Sequence, residues 1–204
     1  MKDSHPGDKG DICCTFHRLN KLKQEKIELK NTFQKYLKEK AWTTNNKNAM
    51  SMTTEIITTT PDCEIVSSRI FNTPRELVYR AWSDPNHLKN WWGPAGFTNT
   101  FNQFDFRVRG KWSFIMHGPD KGNYVNECEF IKIDKPSLIA WKRISKPIFQ
   151  VVATFEEVCA DETKLVFKML FNTAEECRKL KAFVVDKNEE NFDRLENELT
   201  KMSL

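Results

Sequence analysis

Residues 69–94 read RIFNTPRELVYRAWSDPNHLKNWWGP, and the punctuation of this stretch decides the fold. Thr73, Pro74 and Glu76 form a helix-start signal: a capping hydroxyl, a proline at the first helical position and a glutamate three residues after the cap. Leu77, Val78, Ala81 and Trp82 then share one helical face. Asp84-Pro85 repeats the signal for a second short helix, in which Leu88, Trp91 and Trp92 fall at i, i+3 and i+4. Gly93-Pro94 stops it. Upstream, Cys63–Phe71 (CEIVSSRIF) is rich in β-branched residues and reads as a strand.

From residue 96 to 172 the hydrophobic period changes to two. Phe97–Phe106 alternates loosely, and Trp112, Phe114 and Met116 alternate with Lys111, Ser113, Ile115 and His117. Turns at Gly118–Gly122, Asp134–Pro136 and Ser145–Pro147 separate strands at Tyr124–Ile133, Leu138–Ile144 and the run with Phe149, Val151, Ala153 and Phe155 on one face. Leu165, Phe167, Met169 and Phe171 form one face of the last strand. Thr173-Ala174-Glu175-Glu176 is a second capping box, opening helical sequence with a break expected near Asp186-Lys187-Asn188. Phe192, Leu195, Leu199 and Met202 then form an apolar stripe, which must be buried on the sheet. The expected class is α+β: a curved antiparallel sheet of about six to seven strands around a long C-terminal helix, with two short helices after the first strand. Such a sheet leaves a gap against its helix, the usual place for an apolar ligand.

The formal net charge of +4 is unevenly spread. Residues 1–50 hold 11 Lys+Arg against 6 Asp+Glu, a surplus of five, and residues 51–204 hold 21 against 22. Of the 24 aromatic residues, 20 follow residue 60, so the chain divides into a basic segment and an aromatic domain. Thr15–Lys40 lacks Pro and Gly and places Phe16, Leu19, Leu22, Leu29, Phe33, Tyr36 and Leu37 on one helical stripe. Residues 1–50 are read as a basic amphipathic helical extension that packs on the domain or on a second copy of itself. The alternatives are a mobile or non-native extension, with Met50 or Met52 as starts, and a basic arm for a polyanion. Glu25, Glu28 and Glu39 dilute the last, so no nucleic-acid partner is expected. Residues 51–60 read as a linker, and the domain as 61–204.

No run of about 18 apolar residues occurs, so no membrane span is expected. The start MKDSHPGDKGDICC has no apolar signal region. The six cysteines include no C-x-x-C pair, and the four histidines are scattered, so free thiols in a reducing cytoplasm, no metal and no cofactor are the expectation.

The run from Arg69 to Pro85, continued by Leu88-Lys89-Asn90-Trp91-Trp92-Gly93-Pro94, resembles the opening motif of the family named after the activator of heat-shock protein 90 ATPase. Asp105–Trp112 (DFRVRGKW) resembles the family's D-x-R-P-G-G-x-W element. The resemblance covers about residues 61–204. It implies the START-like, birch-pollen-allergen-like (SRPBCC) superfamily and its helix-grip fold, whose members include lipid carriers, polyketide cyclases and a co-chaperone domain. Three positions depart from the pattern. Val108 and Arg109 replace a Pro and a Gly at a bend, Glu127-Cys128 stands where a Gly often sits, and Asn191-Phe192 replaces a Gly-Trp.

No nucleophile–base order, phosphate loop or zinc motif is present, so no catalytic residue is assigned. Trp92, Trp112, Phe114, Met116, Phe167, Met169 and Phe192 are expected to line the gap, with Asp105 and Arg107 as polar anchors. The competing reading puts the aromatics in the core and makes Asp105–Arg107 a pair that holds the bend. Trp82 and Trp91 are read as core, with Trp91 a second candidate for the cavity mouth. His117, Glu127 and Arg143 are the other ionisable residues able to face the cavity; alternation turns His117 outward. The expected function is non-catalytic binding of a small apolar, lipid- or polyketide-like ligand. The alternatives are a co-chaperone-like module, which the family name suggests, and a cyclase- or hydrolase-type enzyme. The expected partners are the ligand, a chaperone and a second copy in a homodimer.

Overall fold

The first strand, β1 (Glu64–Phe71), follows a single 3-10 turn at Pro61–Cys63 and buries alternate residues, among them Ile65, Ser67 and Phe71. The computed structural model describes residues 55–203. The predicted N-terminal amphipathic helix lies outside the described residues, as do residues 51–54 of the predicted linker. Two short helices follow β1: α1 (Arg75–Ser83) and α2 (Pro85–Trp91). The chain then runs through β2 (Thr98–Phe104), β3 (Lys111–His117), β4 (Asn123–Asp134), β5 (Leu138–Arg143), β6 (Phe149–Cys159) and β7 (Glu162–Leu170), and ends in α3 (Ala174–Met202).

The seven strands form one antiparallel sheet in the order β1-β7-β6-β5-β4-β3-β2. The α1–α2 crossover carries the chain from one edge to the other, and five consecutive hairpins bring it back beside β1. Register shifts at Phe101/Gln103 in β2 and Phe130/Lys132 in β4 bend the sheet. The inward face is apolar because the period-two pattern is kept: Leu165, Phe167 and Met169 of β7 meet Phe155, Ala153 and Val151 of β6. The outward face also holds a buried patch, Ile131, Ala140, Val152 and Leu170, covered in part by Ile56 and Ile57. Gln150 fixes that cover: its side-chain carbonyl accepts from the Ile57 N–H at 2.9 Å, and its amide donates to the Glu55 carbonyl at 3.2 Å. Residues 55–57 are therefore held on the sheet.

The start of α1 differs from the sequence reading. Its cap is Pro74, whose carbonyl accepts from the Leu77 and Val78 N–H groups, and no side chain caps the helix. Thr73 is buried, and its carbonyl accepts the Thr163 hydroxyl at 2.7 Å, so this residue is used to join β1 to β7. The second start signal forms as read, with Asp84 accepting from the Asn86 N–H at 2.8 Å. So does the third, with Thr173 accepting from the Glu176 N–H at 3.3 Å. The break expected near Asp186-Lys187-Asn188 is absent, and α3 is continuous over 29 residues. Asn188 is buried against β1, where its amide donates to the Ser67 hydroxyl at 3.1 Å, so tertiary contacts hold a sequence of modest helix propensity in the helix.

The α3 stripe closes the sheet. Phe192, Leu195 and Leu199 are buried, and Phe192 packs edge-on against Phe71 at a centroid distance of 6.1 Å. Arg69 of β1 covers the same ring and pairs with Asp193 at 2.6 Å and Glu189 at 2.8 Å. The observed architecture is the expected α+β helix-grip fold.

Candidate functional site: a cavity between the sheet and the C-terminal helix

Where the inward face of the sheet curves away from α3, a cavity of about 380 Å³ remains. The strand register builds its wall in rows. Phe114 of β3 stands opposite Asn126 of β4, Cys128 of β4 opposite Arg143 of β5, and Arg143 opposite Phe149 of β6. One pleat further in, Trp141, Val151 and Met169 stand side by side on β5, β6 and β7. Val184, Asn188 and Asn191 of α3 face them, and Trp92 and Met116 also line the space. Tyr124 and Phe183, both exposed, mark the mouth.

Of the nine residues expected from the sequence to meet a ligand, Trp92, Phe114, Met116, Phe167 and Met169 line this cavity. The other four do not. Trp112 is 2% exposed and stacks on Phe114 at 4.4 Å, behind the wall. Phe192 is taken up by Phe71 and Arg69. Asp105 and Arg107 sit outside, paired with each other at 2.9 Å just before β3. The physical reason is the turn Phe106–Gly110, which closes on itself through the Gly110 N–H to the Arg107 carbonyl and keeps both side chains on the rim of the sheet. Trp91 also lies in the core, where its indole N–H donates to the Ala81 carbonyl at 2.9 Å.

Two of the other candidates face elsewhere. His117 bonds Thr100 and Asn123 on the opposite side of β3 from Met116. Glu127 is exposed. Among the described residues the lining contains no carboxylate and no histidine. Cys128, buried on the inward face, has its thiol pKa pushed up to about 12 by burial, against the opposing charge of the nearby Arg143, so the thiol is neutral at pH 7. Among the described residues no group of three His, Cys, Asp or Glu side chains could hold a metal ion. No described helix is long and apolar enough to cross a membrane.

Arg143 does reach the cavity. The signal for it was present in the sequence: Ile139, Trp141 and Arg143 are in phase on β5, and the first two are buried. Asn126 and Cys128 are in phase with Phe130 in the same way on β4. Asn188 and Asn191 carried no comparable signal, because polar residues on a helix default to solvent.

The mouth is pinned by backbone contacts. The Gly93 N–H donates to Asn191 Oδ1 at 2.9 Å, and Arg194 donates to the Gly93, Pro94 and Asn90 carbonyls at 2.7, 2.8 and 2.8 Å. Gly93 has φ +99°, a left-handed backbone conformation that favours glycine, and a Cβ there would also displace the Met116 methyl, 2.5 Å away.

Comparison with known proteins agrees with this architecture. No curated protein matches the chain. Among solved structures, a protein from Nitrosomonas europaea superposes with a TM-score of 0.66 at 18% identity, covering 71% of this chain and 99% of its own. A protein from Arthrobacter aurescens gives 0.64 at 20% identity, covering 69% and 87%. The AHSA1 protein from Silicibacter pomeroyi gives 0.55 at 18% identity, covering 68% and 99%. At these identities the likeness is one of fold. The model of the family described as activator of Hsp90 ATPase homolog 1-like protein matches residues 72–200. Membership supports a ligand-binding or co-chaperone-like domain in general and names no ligand. With its helix-grip fold of START/SRPBCC type, the chain belongs to the activator of Hsp90 ATPase homolog 1-like family.

Proposed function

We propose that the domain is a non-catalytic carrier or sensor that holds a small, largely apolar molecule in the cavity between the sheet and α3. The observation that carries this reading is the make-up of the wall: Trp92, Phe114, Trp141, Val151, Phe167 and Met169 enclose about 380 Å³, a volume within the range of small-molecule sites. Met116 and Met169 suit a wall that adapts to its occupant. The cyclase- or hydrolase-type alternative lacks support, because Asp105, Glu127 and His117 are not part of the lining. Native mass spectrometry of the full chain tests the carrier reading. A co-purified small molecule at one per chain, released by mild activation, is the expected result.

Family membership alone favours the co-chaperone reading, in which the domain acts on heat-shock protein 90. That warrant is one of association. A pull-down from lysate and a chaperone ATPase measurement test it, and no capture together with no change in turnover removes it.

A further inference from the structure

The concave face of the sheet carries a cation with no anion beside it. Arg143 is the last residue of β5, and alternation with Ile139 and Trp141 turns its side chain inward. Its cross-strand neighbours are Cys128 on β4 and Phe149 on β6. The guanidinium carbon lies 5.7 Å from the Phe149 ring centroid, and Nε donates to the Ser145 hydroxyl at 3.1 Å. The two terminal nitrogens have no acceptor among the described residues, and the guanidinium forms no ion pair there. Cys128 cannot supply the missing charge, since burial keeps its thiol protonated.

The other cation of the lining makes the contrast. Lys187 is neutralised by Glu190 at 2.5 Å, one turn along α3. Removing a guanidinium from water without an anion is unfavourable, and burial accordingly lowers the pKa of Arg143 from its ordinary value. The group nonetheless stays charged. It is therefore a half-buried charge with four unused N–H donors beside an apolar chamber. Asn126, the neighbouring inward residue on β4, is buried and donates one N–H to the Tyr124 carbonyl at 2.8 Å, keeping a second N–H.

We propose that Arg143 binds the carboxylate of an acidic amphiphile whose apolar body lies among Phe114, Trp141, Val151, Phe167 and Met169. This rests on the cavity-binding reading above and adds the head group to it. A carboxylate fits the guanidinium fork with two parallel N–H···O bonds, which neither a hydroxyl nor an amine can form. The ligand then supplies the charge that the fold omits, with Cys128 and Phe149 flanking the pair.

The test displaces a neutral fluorescent probe, N-phenylnaphthylamine, from the full chain with three ligands of equal tail: decanoate, decanol and decylamine. From wild type, decanoate displaces the probe at about tenfold lower concentration than decanol, a factor equivalent to one charge-assisted bond, and decylamine is weakest. In Arg143→Gln, whose unchanged far-UV circular dichroism shows that the fold is intact, decanoate loses its advantage over decanol, read as the ratio of the two displacing concentrations so that any change in probe affinity cancels. Arg143→Lys retains part of it. Equal displacement by decanoate and decanol in wild type, or an undiminished preference in Arg143→Gln, overturns the assignment and leaves the cavity reading standing. Failure of the probe itself to bind wild type saturably overturns both.

Discussion

The Arg194 guanidinium of α3 donates to the Gly93 carbonyl at 2.7 Å, tying the C-terminal helix to the loop that edges the cavity. The same residue reaches the Pro94 and Asn90 carbonyls, so one side chain satisfies three acceptors at the end of α2, where helical carbonyls lack partners. Arg194→Met keeps the stem and removes all three bonds. The expected loss is about 2 kcal/mol, since the carbonyls are partly buried when orphaned. Arg194→Lys recovers only part of it, because an ammonium cannot span three acceptors in a plane. Urea unfolding with unchanged slope measures the difference, and a change under 0.5 kcal/mol, about the size of an ordinary surface substitution, would show that the clasp is ornamental.

Glu198 gives a pH signature. Its carboxylate is buried on α3, with Asn90 Nδ2 and His87 Nδ1 each 3.0 Å from Oε1 and Lys201 at 3.6 Å. Burial alone would push its pKa up. The hydrogen bonds from Asn90 and His87, with the charge of Lys201, outweigh this and hold it below the ordinary carboxylate value. A depressed folded pKa means stabilisation that is present above the unfolded value, about 4.3, and lost as pH falls through the folded one. Glu198→Gln is expected to be less stable than wild type by about 1–2 kcal/mol at pH 7. The gap should narrow below about pH 4 as the wild-type carboxyl is protonated. Thermal melts from pH 3 to 7 show this directly; a gap that stays constant across the range counts against the assigned role.

Arg109 occupies a left-handed backbone conformation, φ +67°, between Val108 and the tightly held Gly110. Its side chain is exposed, so nothing visible compensates the strain of about 1 kcal/mol that an L-residue carries there. The neighbouring N–H groups already bridge to β4: Arg109 donates to the Phe130 carbonyl at 2.8 Å, and Phe130 to the Gly110 carbonyl at 3.0 Å. Arg109→Gly should therefore raise stability by about 0.5–1 kcal/mol, the relief of strain exceeding the entropy that glycine adds to the unfolded chain. A melting temperature lowered by this change would mean that the arginine side chain holds the bend.

What the sequence disclosed and what it withheld divide along physical lines. Alternation and the Phe192, Leu195 and Leu199 stripe identified the strands and the gripping helix, because both patterns follow from burying one face of an element. The Thr73 signal misplaced the first cap, because a proline carbonyl in extended conformation can accept the first helical bonds by itself, freeing Thr73 for β7. Local propensity around Asp186–Asn188 suggested a break that contact with Ser67 overrides. Trp112 faces inward by period two and Phe192 by its helical stripe, but such patterns give the face of an element and say nothing of how far the sheet stands from its helix. That distance separates wall from core. Asp105 and Arg107 were grouped by spacing, and the turn at Gly110 directs them away from the cavity. Arg143 was legible only by weighing its phase with Trp141 above its polarity.

Carriage of a small apolar molecule requires that the space between the sheet and α3 take it up. The most direct measurement is a fluorescence titration of the full chain with N-phenylnaphthylamine, repeated with Val184→Trp. Val184 faces the cavity from α3 and is only half-buried, so the larger side chain narrows the space without disturbing the sheet. Saturable binding at one probe per chain is expected, with a Kd on the order of micromolar, weakened about tenfold or more in Val184→Trp while the far-UV circular dichroism is unchanged. Absence of saturable binding to wild type, or equal affinity in the folded Val184→Trp variant, would contradict it.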